Sequence, residues 1–389
     1  MKPVKLHPGR ERRILQGHRW IFSNEISNSL SDFEPGSWVE IFSHKGVPLG
    51  TGYINPRSLI AVRLVCPAGQ KPSRDYFHSL LRKAIARRAE FLYPDSQCYR
   101  AVYGESDGLP GLVVDRYGDM VVYQITTLGM SLMEPLVQEL LMEIMQPRVL
   151  VFRHDAQVRT LEGLPLEKGI AFGEIPPEHW VDVDGIAFQV SPLEGQKTGL
   201  FLDQRDNRQA LRRWVRGKKV LDLFCYNGAW SLSAALGGAE EVVGVDQSAD
   251  AIAQAANNAL RNGVESSCRF QRDEVFHFLK GANRHAFDVV IVDPPAFVKT
   301  RSALAEAKKG YTDLNRRALM ALKPGGILVS CSCSYHLNES LFREVLLQAA
   351  QAAGRQLRLL EARGQAMDHP VLLSMPETHY LKCYFLEAF

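Results

Sequence analysis

The run Ile327–Leu337, ILVSCSCSYHL, is apolar and strand-like and ends in two cysteines one residue apart, Cys331 and Cys333. A buried strand has no need of a reactive thiol at its end, so a thiolate nucleophile is one reading. An inert, packed cysteine is a second, because cysteine behaves in cores as a small apolar residue. A metal site is a third, since Cys331, Cys333 and His336 offer two thiolates and an imidazole within six residues. A structural zinc needs a full tetrahedral set of protein ligands, however, and no second Cys/His cluster is evident in the chain; the expectation is no metal.

Carboxylates recur in one kind of position. Asp222 lies one residue from the end of the strand-like KVLDL, Asp246 ends EVVGVD, Asp273 follows a third run in FQRDEV, and Asp293 follows a fourth in FDVVIVDPPAF. In an open α/β sheet ligands gather at the carboxyl tips of the strands, and an acid after the second strand accepts hydrogen bonds from ribose hydroxyls. Asp246 also reads as a helix cap, with Gln247 and Ser248 starting the helix. The loop CYNGAW carries only Gly228 and departs from G-x-G-x-x-G, which disfavours a pyrophosphate ligand such as NAD or FAD. A nucleoside with a cationic sulfonium suits it better, and the expected cofactor is S-adenosylmethionine. Asp246 would hold its ribose, Asp273 would lie near the adenine amino group, and the turn from Phe224 to Gly228 would run under the methionine portion. Asp222 would attract the cationic amino-acid end. After Asp293, two prolines fix φ twice and remove two N–H donors, giving a stiff loop whose carbonyls face a ligand. Amino-directed methyltransferases place an aromatic directly after such prolines; here Ala296 intervenes and Phe297 comes second.

The elements that must position these residues alternate. Strands are expected at Lys219–Leu223, Glu241–Asp246, Cys268–Arg272, Asp288–Val292 and Ile327–Ser330, with amphipathic helical stretches between most of them. That pattern is an α/β doubly wound, Rossmann-like parallel sheet. Upstream, Gly36–Val65 breaks into short β-branched and aromatic runs separated by Gly and Pro turns, a small β-barrel-like domain. Helical periodicity in FHSLLRKAIARRAEFL marks a boundary near residue 70. A hairpin turning at Tyr117–Asp119, a helix over SLMEPLVQELLMEIM and a strand at Val149–Phe152 then form a small central α/β domain. The expected domains are 1–70, 71–178 and 179–389.

Composition excludes several classes. At 389 residues and 46% hydrophobic content the chain can bury ample core. No apolar run approaches the roughly 18 to 20 residues of a membrane span, and the N-terminus lacks the apolar core of a signal peptide; cytoplasmic location without membrane association is expected. Seven scattered cysteines argue against a disulfide framework. The net charge is only +3, but Lys2, Lys5, Arg10, Arg12, Arg13 and Arg19 face only Glu11 near the start, and Arg82, Lys83, Arg87, Arg88 and Arg100 form a second basic group. These read either as patches for a nucleic-acid backbone or as solvated faces.

Several strings together resemble one family. They are GRERRILQGHRWIFSNEI, YGESDGLPGLVVDRYG, KTGLFLDQRDNR, FCYNGAWS, DPPAFVK, SCSCS and DHPVLLSMPETHYLK, which cover nearly the whole chain. The resemblance is to bacterial large-subunit ribosomal RNA cytosine-5 methyltransferases, which use S-adenosylmethionine. It implies an N-terminal RNA-binding PUA domain, a central α/β domain, a methyltransferase domain and ribosomal RNA as partner; a homodimer stays open. It adds Phe201, Asp203, Gln204 and Arg205 as residues flanking the cofactor. Relatives often carry Lys or Ser where this chain has Ala296, so no role of that side chain transfers. Strand alternation puts Cys331 and Cys333 on one face; the family register chooses Cys333 as the nucleophile and leaves Cys331 a packed neighbour. Asp293 would hold the base edge, and the group that removes the C5 proton stays open among Asp293, His369 and a bound water. Two other functions compete: methylation of a guanine or adenine nitrogen, which needs no thiol, and a non-catalytic RNA-binding module, which needs no intact row of carboxylates.

Overall fold

The computed structural model describes residues 1–195, 198–297 and 304–389. Lys197 of KTGLFLDQR, and Val298 and Lys299 of DPPAFVK, lie outside the described residues. The chain forms two units: Met1–Asp182 with Val190–Leu202 and Met367–Thr378, and Val183–Gln189 with Asp203–Ala366 and His379–Phe389.

The first unit contains two five-stranded sheets. In one, Lys2–Lys5 pairs parallel with Trp38–Phe42, and Pro48–Ile54, Val62–Pro67 and Trp20–Ile21 follow antiparallel. Val4, Ile21, Val39, Ile41, Ile54 and Val62 fill its core. Gly52 allows the close strand approach there, because a Cβ would sit 2.2 Å from the Arg63 carbonyl oxygen. The other sheet runs, in spatial order, Glu167–Phe172, Val149–His154, Met120–Ile125, Leu112–Tyr117 and Cys98–Tyr103. Its central hairpin turns through Gly118 at φ +66°. Two cations of the expected basic surface near residue 88 are not on the surface. Arg88 is fully buried and grips the Asp107 carboxylate at 2.7 and 2.9 Å, and Arg100 grips Asp115 at 2.6 and 2.9 Å. Both are internal bidentate pairs, a geometry that spacing in the sequence does not reveal.

The second unit is built on a seven-stranded sheet. Its strands are β1 (Lys219–Leu223), β2 (Glu241–Asp246), β3 (Cys268–Arg272), β4 (Phe287–Val292), β5 (Leu322–Ser332), β6 (Leu357–Arg363) and β7 (Lys382–Ala388). The spatial order is β3-β2-β1-β4-β5-β7-β6; the first five are parallel, and β7 runs antiparallel to both β5 and β6. The five parallel strands are those expected from alternation with helices. The antiparallel pair β6 and β7 was not read, because β7 is buried on both faces and shows no period of two, while LRLLEAR mixes leucines with three charged residues and has no fully buried position. β5 also starts earlier than expected: Phe287 pairs with Leu322 and Val289 with Ile327, so the Lys323–Gly326 turn residues bulge within the strand.

Helices cover both faces. Ser248, not Asp246, caps the helix Ala249–Arg261, accepting a hydrogen bond from Ala251 N. On one face Leu221, Val243, Val290, Leu328 and Leu386 pack with Leu314 and Phe342; on the other, Val220, Val242, Ile291, Val329 and Phe385 pack with Trp230. No helix among the described residues is long and apolar enough to cross a membrane. Because Leu328 is fully buried in the middle of β5, Leu328→Ala is expected to cost about 2–5 kcal/mol through lost transfer energy and a residual cavity. Urea unfolding should give a lower midpoint at unchanged slope.

Candidate active site at the carboxyl edge of the sheet

The parallel strands deliver one polar residue each to the same edge. Asp273 directly follows β3, Asp246 ends β2, Asp222 is the penultimate residue of β1, Asp293 directly follows β4, and Cys333 directly follows β5. In sheet order they form a row: Asp273, Asp246, Asp222, Asp293, Cys333.

The turn after β1 is unusual in its backbone. Phe224, Tyr226 and Gly228 all have left-handed φ, at +63°, +48° and +81°. Only the third is a glycine, so the turn stores strain of about 1–3 kcal/mol at each of the other two. It is held by three backbone donors: Cys225 N to Val245 O at 3.0 Å, Gly228 N to Cys225 O at 2.8 Å, and Tyr226 N to Asp246 Oδ2 at 3.0 Å. Gly228 opens the helix Ala229–Leu236, and a Cβ there would press 3.1 Å from Ala255 Cβ and 3.2 Å from the Phe270 ring.

Under this turn Asp222 is fully buried. Its Oδ2 accepts from Ser231 N at 3.0 Å and from Ser231 Oγ at 2.6 Å, while Oδ1 has no hydrogen-bond partner among the described residues. Burial chiefly, then the charges of Asp293 and Asp246, push its pKa up to about 7 against the two Ser231 hydrogen bonds. Asp246 also receives Ser248 N at 2.9 Å on Oδ1. Asp273 is partly exposed, its Oδ1 accepting from Glu274 N at 2.8 Å and lying 2.9 Å from His277 Nδ1.

Asp293 is held from two sides. Gln204 Nε2 donates to both carboxylate oxygens at 3.1 Å, and Trp230 Nε1 donates to Oδ2 at 2.9 Å. Gln204 is itself anchored, its Oε1 accepting from Asn207 at 2.7 Å. Asp203 Oδ2 accepts from the Tyr380 hydroxyl at 2.6 Å, and Arg205 forms an ion pair with Asp184; both residues are buried. The structure therefore brings Gln204 onto Asp293 but carries Asp203 and Arg205 to Tyr380 and Asp184. Phe201 belongs to the first unit and is half-buried. Beyond the prolines, Phe297 packs tilted against Tyr311, with 4.7 Å between ring centroids.

The two cysteines separate. Cys331 is fully buried directly opposite Cys383 in the β5–β7 ladder, and burial pushes its thiol well above the ordinary range. Cys333 lies past the strand end and is half-buried. Tyr311 and Lys382 both feel its charge. Lys382 pairs with Ser332 across the ladder, is 3% exposed, and donates to the carbonyls of Ser334 and Tyr380, both at 2.8 Å. His369 falls in the first unit, where it is buried with Nδ1 2.7 Å from Asp368 and its ring against Tyr103. Among the described residues no cluster of His, Cys, Asp or Glu converges to hold a metal ion.

Three residues of this edge were not singled out from the sequence: Trp230, Tyr311 and Lys382. Trp230 had a signal, an aromatic N–H two residues after Gly228 in CYNGAW, and so had Lys382, a lone cation before the apolar run CYFL. Tyr311 had none, since a tyrosine on an amphipathic helix reads as core.

Comparison with known proteins adds sequence and fold relatives. A family model described as a PUA-like domain matches residues 4–67, and one described as an S-adenosylmethionine-dependent methyltransferase matches residues 145–368. The chain is 37% identical over 383 residues to the ribosomal RNA large subunit methyltransferase I of Cronobacter sakazakii, covering 97% of each chain. It is 38% identical to that of Salmonella arizonae, covering 97% of this chain and 95% of the relative. Two solved structures share the fold over the full length of both chains at 21% identity: a methyltransferase complexed with SAH, at a TM-score of 0.86, and one from Streptococcus mutans, at 0.84.

Burial sorts the seven thiols. Cys66, Cys98, Cys225, Cys331 and Cys383 are buried, and Cys268 is half-buried with its pKa pushed up to about 12 by burial. Titration of the native chain with a thiol-specific disulfide reagent should therefore show one fast thiol, assigned to Cys333 by peptide mass spectrometry, with all seven reacting in guanidinium.

Proposed function

Since the chain belongs to the S-adenosylmethionine-dependent methyltransferase family and carries a PUA-like domain, we propose that it transfers a methyl group to C5 of a cytosine in large-subunit ribosomal RNA, through a covalent adduct with Cys333. The observation that carries this reading is the half-buried thiol at the last parallel strand tip, beside the Asp293 station. The names of the relatives support the choice of ribosomal RNA.

The residues present fit the cofactor. A fully buried carboxylate with an unpartnered Oδ1, Asp222, suits the cationic amino-acid end; Asp246 suits the ribose hydroxyls, Asp273 the adenine amino group, and the Phe224–Gly228 turn the methionine portion. Gln204 frames Asp293, and Phe201, Asp203 and Arg205 are the further residues that the family resemblance sets beside the cofactor. When bound, the cofactor supplies an electrophilic methyl on a sulfonium. Carbon 5 of cytosine is too poor a nucleophile to take that methyl unaided. The Cys333 thiolate forms a bond to C6 and drives electron density to C5, which then attacks. Asp293, fixed by Gln204 and Trp230, holds the base edge near N3 and N4. Loss of the C5 proton to a base re-forms the double bond and expels Cys333. Lys2, Lys5, Arg10, Arg12 and Arg19 of the N-terminal domain supply phosphate contacts, which set affinity without reading sequence.

Two measurements bear on this reading. At pH 6 Asp222, with its pKa raised to about 7, is mostly protonated, and at pH 8 mostly ionised. A cation binds the ionised form, so calorimetric affinity for S-adenosylmethionine should rise roughly tenfold from pH 6 to 8 with proton release; Asp222→Asn should flatten this rise. Wild-type enzyme and Cys333→Ala are also to be compared on large-subunit RNA digested to nucleosides. Wild type should yield 5-methylcytidine and Cys333→Ala none, with cofactor binding retained. A methylated purine would instead favour the nitrogen-directed reading, and an active Cys333→Ala would end the covalent mechanism.

A further inference from the structure

Lys382 is a buried cation in an unusual setting. It is 3% exposed, yet among the described residues it forms no ion pair with a carboxylate; its ammonium is solvated by two neutral carbonyls, those of Ser334 and Tyr380, each at 2.8 Å. An ammonium removed from water is costly unless an anion compensates it. Its position is set by the ladder: Lys382 is the cross-strand partner of Ser332, and Ser334, whose carbonyl it binds, is the residue after Cys333. The cation is thus pinned to the backbone that carries the thiol.

Two neighbouring helices contribute titratable groups that face this pair. Tyr311 comes from the helix Leu304–Ala321, its hydroxyl at 3.2 Å from both Ser332 Oγ and Ser334 Oγ, and Glu339 comes from the helix Glu339–Ala353. Burial brings the Lys382 pKa down to about 8, while Cys333 and then Glu339 hold it up. At neutral pH the amine therefore remains mostly charged, and Cys333 is the neighbour that favours this most.

We propose that Lys382 is the positioning residue of the thiol: its ammonium, held by the Ser334 and Tyr380 carbonyls at the tip of β5, is the counter-charge that keeps Cys333 ionised. This rests on the reading of Cys333 as nucleophile, and gives that reading a source for the thiolate, which the carboxylates along the edge would by themselves oppose. A lysine that merely bracketed two carbonyls would be replaceable by any side chain able to donate to them.

The test is the pH profile of iodoacetamide alkylation at Cys333, read by peptide mass spectrometry on the full chain without cofactor or RNA. Wild type, Lys382→Arg and Lys382→Gln are compared, with folding checked by circular dichroism. In Lys382→Gln, which keeps donors but loses the charge, the midpoint should rise by about one pH unit and the rate at pH 7 fall roughly tenfold. Lys382→Arg should keep the wild-type midpoint. A folded Lys382→Gln with the wild-type profile overturns the proposal. So does an elevated midpoint in Lys382→Arg, which decides the matter even if Lys382→Gln does not fold. Methyl transfer by Cys333→Ala is read separately: activity there removes the nucleophile and leaves the alkylation profiles to judge the lysine.

Discussion

A parallel ladder forces every strand's carboxyl end to one edge, and the chain can meet that constraint only by crossing back over a face between strands. Five strands of the second unit obey it. Each crossover therefore starts from the same edge, and the first residue free of the ladder is presented there with little choice of direction. Asp246, Asp273, Asp293 and Cys333 occupy such positions, and Asp222 lies one residue inside. The row is a consequence of topology; the residue type at each tip is what the sequence itself contributes.

Gathering carboxylates along one edge has an electrostatic cost, and N–H and O–H donors of the surrounding residues offset part of it. Tyr226 N and Ser248 N serve Asp246, Ser231 serves Asp222, and Gln204 and Trp230 serve Asp293. Dipoles of this kind stabilise charge without cancelling it, so the edge keeps a negative field that suits a cationic ligand. The strained turn at Phe224–Gly228 belongs to the same arrangement, since its left-handed residues turn Tyr226 N toward the Asp246 carboxylate.

The far end of the row has the opposite character. β7 enters antiparallel beside β5 and brings Cys383 against Cys331 and Lys382 against Ser332. One register thus does two things: it seals Cys331 in an apolar face and brings a cation beside the tip that bears Cys333. Two thiols that alternation alone treats as equivalent acquire different environments, because one sits inside the ladder and the other past its end.

Much of this was legible in the chain itself. The alternation of apolar runs with amphipathic stretches determines the α/β class, and strand ends marked by Asp246, Asp273 and Asp293 could be read because an acid after a β-branched run interrupts the pattern sharply. The single glycine of CYNGAW distinguished a nucleoside from a pyrophosphate ligand. Tertiary structure alone decided what depends on long-range pairing. β7 could not be read, because a strand buried on both faces carries no period of two, and so the roles of Lys382 and Cys383 stayed hidden. Gln204 and Trp230 are 26 residues apart in the sequence yet meet on one carboxylate. Arg88 and Arg100 looked like surface cations until their acids, Asp107 and Asp115, were found folded onto them. Composition and periodicity report which face a residue prefers; only the folded chain reports which partner waits there.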